Sequence, residues 1–110
     1  MKTLDEFIGD ISKFNKSEYV TFEGFDALYV RTGPRLIHGQ YYKVVDIANV
    51  TASHPGAGAF KRLIAHIKIT WPEHTIHVEN VLTKRFQEGL VRMGFIPTHQ
   101  PMCFYMESNC

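Results

Sequence analysis

Two carboxylates stand where this sequence is otherwise apolar, and a glycine turn follows the longer apolar run. Asp46 interrupts the series Tyr41, Tyr42, Val44, Val45, Ile47 and Val50, and Glu79 closes Thr75-Ile76-His77-Val78. A charge inside an apolar strand costs free energy unless it is paired or used. A carboxylate placed so can serve as a general base. Asn80 follows Glu79 directly, and its amide could orient a carbonyl group or cap the next helix. The turn reads Gly56-Ala57-Gly58-Ala59-Phe60-Lys61-Arg62. Small residues at a helix start let a ligand approach free N–H groups that carry partial positive charge, which suits a phosphate or pyrophosphate. The same glycines could simply permit a tight turn. Lys61 and Arg62 could add charge toward phosphates or form a solvated helix face. His54 could act as acid or base beside the turn, or be an ordinary surface histidine.

The elements that must position these groups follow from periodicity. Thr3 and Glu6 form a capping box, and Leu4, Phe7, Ile8, Ile11 and Phe14 predict an inward-facing helix over 4–14. Runs 19–22 and 27–31 predict a hairpin around 23–26, with Gly33-Pro34 ending its second strand and Gly39 closing the next turn. The run 41–51 predicts a central strand buried on both faces. Phe60, Leu63, Ile64 and Ile67 predict a helix ended by Trp71-Pro72, and 75–79 a strand. Leu82, Phe86, Leu90 and Met93 predict a third helix, stopped by Gly94, before a last strand at 103–106. Strand, glycine turn, helix and strand from Tyr41 to Val78 make a βαβ crossover. That requires a parallel pair inside a mixed, mostly antiparallel sheet, an α+β (α/β-like) class.

Composition bounds the function. The 110 residues allow one domain spanning 1–110, and the 45% hydrophobic fraction suits a packed core. The formal charge of +1 argues against a dedicated nucleic-acid binder, and no apolar run is long enough to span a membrane. Cys103 and Cys110 stand alone, which fits reduced thiols and a cytoplasmic location, and Cys103 reads as core packing. His74 and His77 are accompanied along the chain by no cysteine or carboxylate at ligand spacing, so no metal is expected.

Three phosphate-binding patterns compete for the turn. Lys61 stands where a dinucleotide fingerprint needs a small residue, and 59–62 lacks the Gly-Lys-Ser/Thr of a P-loop. The resemblance to the third reaches beyond the turn. Ser53-His54-Pro55-Gly56-Ala57-Gly58 lies at the end of a long strand, Val78-Glu79-Asn80-Val81-Leu82 precedes a helix, and Gly94-Phe95 follows it. In this order the stretch 41–95 resembles the GNAT (Gcn5-related) N-acetyltransferases, particularly short phage-encoded members. The resemblance implies acetyl-CoA as co-substrate and no metal. Its pyrophosphate would lie on Gly56 and the N–H groups of Ala57, Gly58, Ala59 and Phe60, near Lys61 and Arg62. Its pantetheine arm would run along Asn49, Val50 and Thr51. It also implies direct acetyl transfer to an amine-bearing acceptor, with Glu79 as leading base and Asp46 and Asn80 as further candidates. A phage-encoded member would work in the host cytoplasm.

Two positions depart from the family pattern. Ser53 replaces an Arg/Gln of the loop, and Leu90 stands where many members carry a Tyr that protonates the leaving thiolate. These departures keep open an alternative, a GNAT scaffold without chemistry that binds or regulates another protein, such as a host protein. Phe104 and Tyr105, read as lying on an edge strand, could pair with a second copy in a homodimer.

Overall fold

The computed structural model describes residues 1–12 and 15–108. Along the chain run α1 (Leu4–Gly9), β1 (Lys16–Tyr19), β2 (Phe25–Ile37), β3 (Gln40–Ala52), α2 (Ala59–Thr70), β4 (Thr75–Val78), α3 (Lys84–Arg92), β5 (Ile96–Pro97) and β6 (Phe104–Met106). The six strands form one sheet in the order β1-β2-β3-β4-β6-β5. Among the described strands β3 and β4 pair parallel and the other pairs are antiparallel. The expected α+β class and its mixed, mostly antiparallel sheet with a βαβ crossover are therefore present.

Alternation along the strands divides the sheet into two unlike faces. Val45, Ile47, Ile76 and Val78 point to one side and join a single core with Leu4, Phe7 and Ile8 of α1, Leu63, Ile64 and Ile67 of α2, and Leu90 of α3. Each large aliphatic side chain buried there contributes roughly 1.5–3 kcal/mol. The helices thus cover one face. On the other lie Asp46, His77 and Thr75, also buried, with a small cluster of Ile37, Val44 and Tyr105. Burial on both sides holds for 44–48 only: Tyr41 and Lys43 at one end and Asn49 and Thr51 at the other are exposed, so the strand expected to be covered over 41–51 is covered only in its middle.

Several elements depart from the sequence expectation. The first helix stops at Gly9, and Ile11 is 94% exposed instead of inward. Asp10 ends the helix in extended conformation, and its carboxylate accepts from the Ser12 N–H, a local bond that competes with further helix. Phe14 lies outside the described residues, as does Cys110. The capping box itself forms, with reciprocal Thr3–Glu6 bonds at 2.9 and 3.1 Å.

The hairpin strands also shift. β1 ends at Tyr19, so Val20 to Phe22 belong to the connection, and β2 runs straight through Gly33-Pro34 to Ile37. Pro34 lies opposite Lys43 of β3, and among the described residues β1 pairs with β2 only as far as Thr32, so no described strand calls for an N–H on that side. The third helix begins after Leu82, which is exposed. The short strand β5, absent from the expectation, forms the sheet edge, so β6 is internal and Phe104 and Tyr105 are buried. The proposed pairing of those two residues with a second copy loses its basis.

Candidate functional site

The parallel ladder of β3 and β4 is short. Val44 to Ile47 pair with Thr75 to Val78, and the Glu79 N–H donates to the Ile47 carbonyl at 3.1 Å. Beyond that bond β3 continues for five residues, 48–52, paired with β2 but, among the described residues, without a partner strand on its β4 side. The register slips there: Val30 faces Ile47 and Tyr29 faces Asn49, so Ala48 is the extra residue of a bulge. In a regular strand successive carbonyls point opposite ways. Here the Ile47 carbonyl accepts from Glu79 and the next one, Ala48, accepts from the Asn80 Nδ2 at 3.1 Å. Asn80 has φ 60, a left-handed conformation that asparagine tolerates better than most residues. It therefore turns the chain away from β3 and fastens the point of divergence. The helix cap expected of Asn80 is supplied by Thr83, whose hydroxyl accepts from the Phe86 N–H at 3.2 Å.

Asp46, His77 and Glu79 meet on the helix-free face at this divergence, their ligand atoms all within 4.8 Å of one another. The parallel register sets Asp46 beside His77, and Nδ1 of His77 lies 2.8 Å from an Asp46 carboxylate oxygen, both side chains almost fully buried. Arg35 on β2 reaches Asp46 at 3.1 Å and Glu79 at 3.6 Å through Nη1. Its Nη2 donates to Gln100 at 3.2 Å. Arg31 lies 3.4 Å from Glu79. Burial alone would raise the Asp46 carboxyl, but hydrogen bonds from His77 and Glu79 and the charges of His77 and Arg35 outweigh it, and its pKa falls. Glu79 moves the other way. Sharing a hydrogen bond with ionised Asp46, together with burial and like charge, raises it to about 7 against the opposing pull of Arg31 and Arg35. A carboxyl poised there can take up a proton near neutral pH.

This constellation was half legible. Asp46 and Glu79 stood out because each interrupts an apolar strand, but His77 and the arginines were missed. Spacing along the chain does not show the neighbours of His77, because strand register supplies them across the sheet. Two carboxylates and an imidazole resemble a divalent-ion site. In this geometry the guanidinium of Arg35 already contacts both carboxylates, so the cationic position is taken by the protein itself. Cys103, read as core packing, is buried but adjoins the same charges; burial above all raises its thiol pKa, and the Asn80 backbone donates to it.

The glycine turn sits at the far end of the unpaired part of β3. At roughly 3.3 Å per residue, 48–52 separate the two features by about 17 Å. Gly56 and Gly58 have φ 86 and 84, values that other residues rarely adopt. Gly58 is the N-cap of α2 and provides no side-chain cap, so the N–H groups of Ala59, Phe60 and Lys61 have no partner among the described residues. The Ala57 N–H does have one, the His54 carbonyl at 3.1 Å. The unpartnered N–H groups at the turn are therefore those of 59–61, whereas the expected set began at Ala57. Arg62 folds back to donate to the Ala57 carbonyl at 3.0 Å, which keeps its charge at the turn, while Lys61 is exposed. Ser53 is engaged elsewhere: its hydroxyl binds Asp26 at 2.7 Å and its N–H the Gly24 carbonyl at 2.9 Å. His54 is exposed on the loop, whereas Asn49 and Thr51 are exposed along the divergent strand.

Compared with known proteins, the chain matches no family model, no curated sequence and no solved structure.

Proposed function

We propose that the protein is an acyl-CoA-dependent N-acyltransferase of the GNAT type, transferring acetyl from acetyl-CoA to an amine. The observation that carries this reading is Glu79. Its carboxyl has a pKa of about 7 and sits where β3 and β4 part, at the opposite end of the free β3 edge from the glycine cradle. That edge gives an extended pantetheine arm backbone groups to bind, and the unpaired N–H groups of 59–61 give a pyrophosphate its donors.

In the proposed reaction Glu79 removes a proton from the acceptor amine. The nitrogen attacks the thioester carbonyl carbon, the C–S bond breaks, and the second proton that the nitrogen loses passes through water to the departing thiolate. Asp46 and His77 act beneath Glu79: the ionised Asp46 raises its affinity for the proton, and Nδ1–H of His77 holds Asp46 in place. Asn80 shapes the opening. Leu90 favours the second reading, a binding protein on the same scaffold, because the position of the usual thiolate-protonating Tyr is wholly inside the core.

Thermal unfolding with acetyl-CoA and with free CoA tests the proposal. A ligand at one hundred times its Kd adds about 2.7 kcal/mol of stability, so both should raise the melting temperature at millimolar concentration. The absence of any shift with either would remove the acyltransferase reading.

A further inference from the structure

The groups around Glu79 also bear on which amine could be accepted, an inference that rests on the acyltransferase reading. Arg35 is engaged on three sides, by Asp46, Glu79 and Gln100. Asp46 is held between His77 and Arg35. Arg31 differs. Its side chain is 46% exposed, it touches Glu79 through one nitrogen at a long 3.4 Å, and its other nitrogens have no hydrogen-bond partner among the described residues. Its guanidinium lies 5.9 Å from the Tyr29 ring centroid, which steadies it without using its donors. Beside it opens a pocket of about 270 Å³, lined by Lys16, Ser17, Gly33, Arg35 and Asp46 as well as Arg31; the Lys16 ammonium is engaged by the Asp10 carbonyl.

Charge balance gives this arrangement a direction. Arg31 and Arg35 oppose Asp46 and Glu79, so these four groups sum to zero when Glu79 is ionised and to +1 once it has taken a proton. A purely cationic acceptor meets no net attraction here, and its proton leaves the site positive. An acceptor bearing its own anionic group would compensate Arg31, whose planar fork suits a carboxylate or phosphate. Drawing Arg31 off Glu79 would also remove a charge that lowers the affinity of Glu79 for its proton.

We propose that the acceptor is a small amine carrying a carboxylate or phosphate, and that the exposed guanidinium of Arg31 binds that group. The test uses β-alanine for a carboxylate, O-phosphoethanolamine for a phosphate and propylamine for neither, with acetyl-CoA and a thiol-release assay. One or both anionic probes should exceed propylamine in kcat/KM by tenfold or more, and the better one identifies the anion. Arg31→Gln should remove that preference by raising KM with little change in kcat, with its melting temperature checking that it folds. Equal turnover of propylamine, or a preference retained in Arg31→Gln, would overturn the proposal.

Binding is read separately, by NMR of the arginine Nε–H signals without acetyl-CoA. A shift of the Arg31 signal by an anionic probe supports the assignment even if acetyl-CoA fails to bind, an outcome that would count against the acyltransferase reading alone. No shift with either probe would refute the Arg31 site.

Discussion

Glu79 and Asp46 illustrate how one pair of like residues acquires opposite properties. Asp46 has an imidazole and a guanidinium as partners and ionises readily, and its charge then keeps a proton on Glu79. The consequence for stability has a definite sign. Glu79 is raised from 4.5 to about 7 on folding, so between those values the folded protein holds a proton that the unfolded chain has lost. Its contribution to stability therefore falls as pH rises from about 4.5 through 7. Glu79→Gln, which imitates the protonated form, should match the wild type in urea unfolding at pH 4.5 and exceed it at pH 8. If the two proteins keep the same difference at both pH values, the proton is not shared as described. Under the acyltransferase reading the rate should also rise with pH around 7, and the rise should vanish in Glu79→Gln. Asp46→Ala removes one partner of a buried charged group, a change that costs about 3–5 kcal/mol. Urea denaturation at pH 7 measures it, and a loss under 1 kcal/mol would show that His77 and Arg35 do not depend on Asp46.

The elements around the glycine turn depend on close backbone contacts. Gly24, in the connection between β1 and β2, accepts from the Ser53 N–H, and a Cβ there would lie 2.9 Å from the Ala59 Cβ. With φ +95 as well, Gly24→Ala should destabilise the protein by about 2 kcal/mol or more. The same change should weaken any CoA binding, since Ala59 opens the helix that carries the free N–H groups. Gly58→Glu tests the cradle more directly. Its side chain would start 3.3 Å from Arg62 Nη1 and place a negative charge where the pyrophosphate is proposed to lie. Isothermal titration with CoA should show binding lost in that variant, and unchanged affinity would move the cofactor site elsewhere.

At the scale of the whole molecule, the sheet carries helices on one face and leaves polar groups on the other. Among the described residues no helix is long and apolar enough to cross a membrane. The helix-free face is closed partly by its own margins: His38 donates its N–H to the His99 imidazole at 3.1 Å, and Gln100 accepts from Arg35. These margins join β2–β3 to the segment before β6. Gln100→Ala should therefore loosen Arg35 and raise amide exchange around both, with the helix-side core unaffected. Hydrogen exchange at individual amides checks this, and protection unchanged at the 97–102 segment would count against it.

Most elements were legible because local patterns agree with the packing. The capping box, the apolar stripe of α2, Gly94 after α3 and the long run at 41–51 each reflect interactions within a few residues. Elements failed where a local signal lost to a neighbour: Gly33-Pro34 reads as a break, yet β3 holds it in a strand, and Ile11 fits a helical stripe that Asp10 has already ended. Asp46 and Glu79 were visible as candidates because a buried charge is conspicuous in an apolar run. Their partners were not, since Arg35, His77 and Cys103 reach them through strand register and the course of the chain over the open face. Periodicity reports which side of an element is buried, a short-range property. Which buried groups touch, and hence which carboxyl keeps its proton, depends on contacts between residues as far apart as 31 and 79, and only the tertiary structure decides those.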